Sequence, residues 1–288
     1  MRFALFPILA LGLCAVLCGC TAAPPVPTPE QHLADVKNNL SRMEYDIALK
    51  NLDRLVKAAG DQPLGQQGRV LNVAVLTALA EGHKRMAEAF EEGRKQPAAR
   101  LRETDFARLR MDYYGLARVH LVQALEVLVQ QRGVLGEQAI RLDIPFPSFT
   151  GTEHAALGKV RSGLWVDEGS RAQAEQESIR NSLARILASL VGAGDDVHKG
   201  REIFQQGGMQ VDPRVYLVEM SSNVLRVAEI FDRGALDDAR YRRICNEATR
   251  DTLDLLLKML EAKPDKRLET KTKKMKAQCE KALKALGS

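Results

Sequence analysis

Apolar residues recur at intervals of three and four along most of this chain, a spacing that places them on one face of a helix. The first helix is predicted to begin at Thr28-Pro29-Glu30-Gln31, where Thr28 can cap it and Pro29 suits its first turn. Since no alternating strand of useful length interrupts the pattern, the predicted fold is all-α. The clearest helical stretches are residues 64–92, 101–132, 171–191, 236–262 and 265–286.

Residues 141–170 depart from the helical pattern, because prolines near the start of this segment prevent a helix there. The segment contains Phe146, Phe149 and Trp165, the single tryptophan of the chain. Long irregular segments inside a compact domain are often functional. One hypothesis is that the segment closes over a groove between helices, with the three aromatic residues as apolar anchors for a ligand or partner. The alternative is that they fill the end of the core.

The N-terminal residues 1–19 carry one positive charge at Arg2, then an apolar run and small residues, which is typical of a signal peptide. The run is shorter than the roughly 20 residues that span a bilayer. Leu17-Cys18-Gly19-Cys20 resembles the lipobox of bacterial lipoproteins. The resemblance implies cleavage before Cys20, acylation of its thiol and attachment to a membrane through that lipid. The alternative is an ordinary secreted protein.

The residues that follow Cys20 bear on where the lipoprotein is delivered. Thr21 and Ala22 replace the Asp that retains many lipoproteins in the inner membrane, so the resemblance implies the outer membrane, facing the periplasm. The inner membrane is the alternative. The prolines that follow favour an extended spacer of about 3.1 Å per residue. The predicted organisation is a signal peptide at 1–19, an anchor and spacer at 20–29 and a helical domain at 30–288.

Met43 to Leu52 resembles the centre of a tetratricopeptide repeat, with Tyr45 at the start of a second helix and Ala48 where two helices approach closely. Residues 233–239 are a weaker match to the same pattern. The resemblance implies an antiparallel helical array of the α-α superhelix type. A repeat period of about 34 residues does not connect the two stretches, and an irregular helical bundle is the alternative.

The overall composition, 45% hydrophobic and 27% charged residues, is that of a soluble globular protein. The net charge is +5, and residues 258–288 contain ten lysines and arginines against four acidic residues. A basic helix of this kind could contact anionic lipid headgroups or peptidoglycan, although most such runs are solvated faces. Nucleic acid is not an expected partner, because aromatic residues are not interleaved with these lysines and an exported protein would not meet it.

Two of the five cysteines, Cys245 and Cys279, remain after the signal peptide and the lipidated residue are accounted for. They lie at similar distances on either side of Lys263-Pro264, where the last two predicted helices meet. An antiparallel pair would hold the two thiols at one height, and a disulfide is predicted for an oxidising compartment. Two free, buried thiols are the alternative.

Residue patterns of catalysis are missing from the sequence. The five histidines are scattered without HExxH spacing, and neither a phosphate-binding loop nor a GxSxG nucleophile motif occurs. We therefore expect no metal, no cofactor and no enzymatic activity. His120 falls on an apolar helix stripe and is expected to be a core histidine.

Two functions are compatible with an anchored helical body. The first is a non-catalytic scaffold or adaptor for a protein partner in a cell-envelope complex. The second is binding of a small ligand, because the chain resembles in architecture the lipoprotein T component of TRAP transport systems, whose helices enclose a pore or pocket. An enclosed apolar cavity beneath residues 141–170 would favour the second function, and an open concave groove the first. A third possibility, an envelope hydrolase, would need a buried glutamate in a cleft.

Overall fold

A computed structural model describes residues 27–149, 152–207, 210–232 and 237–287. The predicted signal peptide, Cys20, most of the predicted spacer and most of the weaker repeat-like stretch lie outside these residues. The all-α prediction is confirmed, since the described chain folds into ten α-helices, two 3-10 turns and a pair of two-residue strands. Among the described helices, none is both long enough and apolar enough to cross a membrane.

The ten helices follow the predicted order with two short additions, α5 and α7, that the periodicity did not predict. Their bounds are α1 Pro29–Ser41, α2 Tyr45–Ala59, α3 Pro63–Arg94, α4 Glu103–Gln131, α5 Ala155–Arg161, α6 Glu168–Leu190, α7 Val197–Gln205, α8 Pro213–Ala228, α9 Ala239–Ala262 and α10 Lys266–Gly287. The strands β1 Ile140–Arg141 and β2 Gln210–Val211 pair antiparallel.

Helices α1 and α2 form a hairpin on the first half of α3. The predicted capping box at the start of α1 is present, with Thr28 Oγ1 accepting from the Gln31 backbone and the Gln31 side chain accepting from the Thr28 backbone. Tyr45 begins α2 and is buried, and Ala48 is fully buried. Both positions therefore face the core.

Helix α3 is the centre of the fold and packs against α2, α4, α6 and α8. Most of its positions from Val70 to Phe90 are buried, as expected for a helix surrounded by others. The approach of α6 is especially close at Gly82, where a Cβ atom would lie only 2.5 Å from Ile179 Cγ1. Ser178 Oγ also donates to the Gly82 carbonyl oxygen, at 3.2 Å. Glycine at this position thus allows α3 and α6 to come together.

Helices α8, α9 and α10 complete the C-terminal part, and Cys245 and Cys279 lie there in the hydrophobic core. The predicted disulfide is not present, because both cysteines are free thiols. Burial raises the pKa of Cys245 to about 12 and that of Cys279 to about 11. These thiols are protonated at neutral pH and act as small apolar residues, which was the alternative to the bridge.

Candidate ligand pocket between helices α3, α6 and α8

The aromatic residues of segment 141–170 do not form a single site. The Phe146 ring packs edge-to-face on Phe204, with ring centroids 5.0 Å apart, and Phe149 packs on His198, with centroids 6.0 Å apart. Phe146 also lines a cavity of about 230 Å³ next to the α1–α2 turn. Phe149 lines a different cavity, of about 480 Å³, so the two phenylalanines do not share a site.

Trp165 occupies a third place, near the turn between α3 and α4. Its ring packs edge-to-face on Phe106, with centroids 5.9 Å apart, and the Arg102 guanidinium carbon lies 4.7 Å from its centroid. Trp165 is 37% exposed and contacts both an aromatic ring of the core and a cation, away from the other two aromatic residues.

A cavity of about 480 Å³ lies beneath part of segment 141–170, between α3, α6 and α8. Residues 152–154, together with Phe149 and Leu157, form one side. Polar and charged side chains from the three helices form the other side. The volume is in the range that accommodates small-molecule ligands. Of the three aromatic residues singled out in the sequence, only Phe149 lines this cavity.

Three arginines that line the cavity surround a buried glutamate, which does not itself line it. Glu81 of α3 has a side chain only 6% exposed. Its Oε1 accepts a hydrogen bond from Arg185 of α6, and its Oε2 lies 3.0 Å from Arg226 of α8. Arg85, one turn further along α3, has its Nη2 atom 3.6 Å from Oε1. One carboxylate therefore links three helices through three guanidinium groups.

The electrostatics of this cluster are shaped by its burial. Burial lowers the pKa of Arg185 to about 10; the Glu81 carboxylate opposes this shift, whereas the positive charges of Arg85 and Arg226 reinforce it. Repulsion among the arginines is thus part of the folded state. The cluster attracts negative charge.

Other carboxylates at the cavity have interactions of their own. Glu153 Oε1 lies 3.0 Å from Arg161 Nε, and Glu177 Oε1 lies 3.8 Å from Arg180 Nη2. Asp195 lies 3.7 Å from Arg226 but its side chain is 84% exposed, so solvent screens that pair. Positive charge therefore dominates at the buried end of the cavity.

One hydrogen-bond acceptor in the lining is unused. Asn181 Oδ1, one turn before Arg185 on α6, is buried and has no hydrogen-bond partner among the described residues. Buried polar atoms nearly always have partners in folded proteins. Asn181 Oδ1 is an exception to this rule.

The hydrolase possibility required a buried glutamate in a cleft. Glu81 is buried, but it is not among the residues that line the cavity. Both of its carboxylate oxygens face arginine donors, Arg185 and Arg85 at Oε1 and Arg226 at Oε2.

A second polar cluster lies between α3, α4 and α6. His83 Nε2 is 3.1 Å from Glu175 Oε1, Tyr113 donates to Glu175 Oε2 at 3.0 Å, and the rings of His83 and His120 stack with centroids 5.3 Å apart. Burial and the nearby His83 lower the pKa of His120. Although burial acts to raise it, the pKa of Glu175 is lowered, because His83 and Tyr113 stabilise the carboxylate. His120 is thus half-buried, with its ring stacked on that of His83, whereas a core position was expected.

Within the parts of the chain that the structure describes, groups of three or more potential metal ligands are not found. The sequence did not predict any of the four residues of the charged cluster, namely Glu81, Arg85, Arg185 and Arg226. The available signal was Glu81 itself, a charged residue that directly follows Ala78-Leu79-Ala80 in the apolar part of α3. No protein-family model, curated protein or solved structure matches this chain.

Proposed function

We propose that this chain is an exported, lipid-anchored helical protein that binds a small molecule, without catalysis, in the cavity between α3, α6 and α8. The observation that carries the proposal is a cavity of about 480 Å³ beneath segment 141–170, lined by three arginines that converge on the buried Glu81. A few charged groups that converge on a cavity are typical of ligand sites. The lining is more polar than the apolar cavity that the sequence reasoning associated with ligand binding.

The cellular address in this proposal rests on the lipobox resemblance of Leu17 to Cys20. Lipid on Cys20 would attach the protein to the outer membrane, facing the periplasm. Mass spectrometry of the N-terminal peptide tests this step, with an acylated Cys20 as the expected first residue. A Cys20→Ser variant should accumulate as an uncleaved, unacylated precursor. An unmodified sulfur on the mature protein would contradict the proposed anchor.

Ligand binding is tested with the full-length protein purified in detergent. Small molecules that copurify are released by denaturation and identified by mass spectrometry. Asn181→Phe should fill part of the cavity and lower the amount of bound molecule. Gln130→Phe, on the exposed face of α4, is the control and should retain it. Equal recovery from both variants would place the molecule outside this cavity.

The scaffold or adaptor function is a second proposal, supported by apolar side chains that α4 exposes. Leu116 and Val119 are 42% and 48% exposed and lie three residues apart on the helix. Photo-crosslinking from position 116 in whole cells should then capture one defined envelope protein. Crosslinks to many proteins at low yield would count against an adaptor surface at α4, because isolated exposed apolar residues are common.

A further inference from the structure

The buried end of the cavity carries more positive charge than the carboxylate beside it can balance. Arg85, Arg185 and Arg226 surround a single buried carboxylate, Glu81. Each guanidinium keeps its charge at neutral pH. Lys84 lies next to this group, but its Nζ donates to the Arg226 carbonyl oxygen at 2.9 Å and to Glu229 Oε2 at 3.2 Å, so its charge has a partner of its own. A bound anion would offset the excess of guanidinium charge over the single carboxylate of Glu81.

The arginines come from three different helices and converge from different directions. Arg85 is on α3, Arg185 on α6 and Arg226 on α8, and all three line the same cavity. A guanidinium group presents several N–H donors in one plane, and that geometry matches the two oxygens of a carboxylate. Glu81 already shows that a carboxylate fits between them. A ligand carboxylate would accept hydrogen bonds from N–H groups of the same three arginines.

Part of the lining is apolar. Phe149, Leu157 and Val197 contribute apolar surface to the cavity, and Ala174 adds to it from α6. Inorganic anions would leave this apolar surface without a contact. A ligand with a carbon skeleton would bury part of it, at about 25 cal/mol for each Å² removed from water.

We propose that the cavity binds a small organic carboxylate, with its carboxylate group against Arg85, Arg185 and Arg226 and its carbon skeleton against Phe149 and Leu157. The inference rests on the proposed ligand-binding function and adds the chemical class of the ligand.

The test measures ligand-induced thermal stabilisation and calorimetric affinity of the full-length protein in detergent. The probes are aliphatic, aromatic, hydroxy- and amino-carboxylates, each paired with its neutral amide, together with phenyl phosphate. At least one carboxylate should bind ten times more tightly than its amide or than phenyl phosphate. Equal binding of a carboxylate and its amide, or tighter binding of phenyl phosphate, would overturn the carboxylate assignment and leave ligand binding intact. If no probe binds and no small molecule copurifies, both proposals fail together.

Variants locate the binding in the arginine cluster. Arg85→Gln is the most informative variant, because Arg85 is the most exposed of the three arginines. Its contact with Glu81, at 3.6 Å, lies within α3, so the substitution removes no ion pair between helices of the cluster. It should weaken carboxylate binding at least tenfold, while neutral amides are unaffected. Arg110→Gln removes a similarly paired arginine from α4, away from the cavity, and should leave binding unchanged. Equal affinity of both variants for the carboxylate would refute the assignment.

Removal of the resident carboxylate provides an independent readout. Glu81→Gln should increase carboxylate affinity, because the three arginines then lack their competing negative charge. A cluster that serves only to hold helices together would not predict this increase. Unchanged or weaker carboxylate binding in a folded Glu81→Gln protein would contradict the proposal.

Discussion

Replacement of Glu81 by glutamine would take one negative charge from among three arginines with little change in side-chain volume. In the native protein its carboxylate accepts from Arg185, lies 3.0 Å from Arg226 and lies 3.6 Å from Arg85. Glutamine retains one acceptor oxygen but places an NH₂ group where an acceptor is needed. The three guanidinium groups would then repel one another without compensation.

The expected loss can be bounded from the geometry. Two unit charges 4 Å apart interact by about 4 kcal/mol at an effective dielectric constant of about 20, and Glu81 makes three interactions of this kind. Desolvation of the carboxylate offsets much of that attraction. Removal of one partner from a buried ion pair typically costs about 3–5 kcal/mol, and we expect this loss in the free energy of unfolding. Since domains are stable by only about 5–15 kcal/mol, the effect should be large.

Urea unfolding of the full-length protein, followed by far-ultraviolet circular dichroism, measures the effect. The matched control is Glu91→Gln on the same helix, where the carboxylate pairs with Arg110 and lies 3.0 Å from Lys95 but is 24% exposed. The control should lose less, because Glu91 has two partners instead of three and one of them, Lys95, is 64% exposed and screened by solvent. If Glu81→Gln loses no more than the control does, the cluster does not hold α3, α6 and α8 together.

Three further outcomes are expected. Gly82→Ala should lower the free energy of unfolding by about 1–3 kcal/mol in urea titrations, since its Cβ would lie 2.5 Å from Ile179 Cγ1; Gly115→Ala, with open space around it, should not destabilise. Burial lowers the pKa of His120 below 6.5, so the unfolded chain binds more protons than the folded protein as the pH falls. The free energy of unfolding should therefore decrease between about pH 7.5 and 5.5, and it should decrease less steeply in His120→Gln. The thiols of α9 and α10 should react with maleimide only after unfolding, and mass-spectrometric detection of a disulfide would contradict the free thiols.

Periodicity predicted the long helices well because apolar residues recur at three- and four-residue spacing over many turns in each of them. The start of α1 was also predictable, since the Thr28 and Gln31 capping interactions are local. Helices α5 and α7 were not, because seven and nine residues are too few to establish a stripe. The pairing of β1 with β2 joins residues about 70 positions apart, and local sequence does not encode it.

The candidate site was less predictable than the fold. Arg185 and Arg226 are ordinary polar positions in the sequence, because only the packing of α6 and α8 on α3 brings them to Glu81. In contrast, the sequence predicted Phe146 and Trp165 as site residues because they are aromatic, but both pack away from the arginine cluster. Convergence of distant charged residues is a property of tertiary structure. A lone glutamate within an apolar helical run was the one local sign of it.

The length of α3 separates the arginine cluster from the beginning of the described chain. Leu33, in the first turns of α1, packs with Ala59 and Leu64, so α1 begins beside the start of α3. Glu81 lies 17 residues beyond Leu64, or roughly 25 Å along the helix axis at 1.5 Å per residue. If Cys20 carries the proposed lipid, this length of helix would lie between the arginines and the end of the body where the anchor joins it.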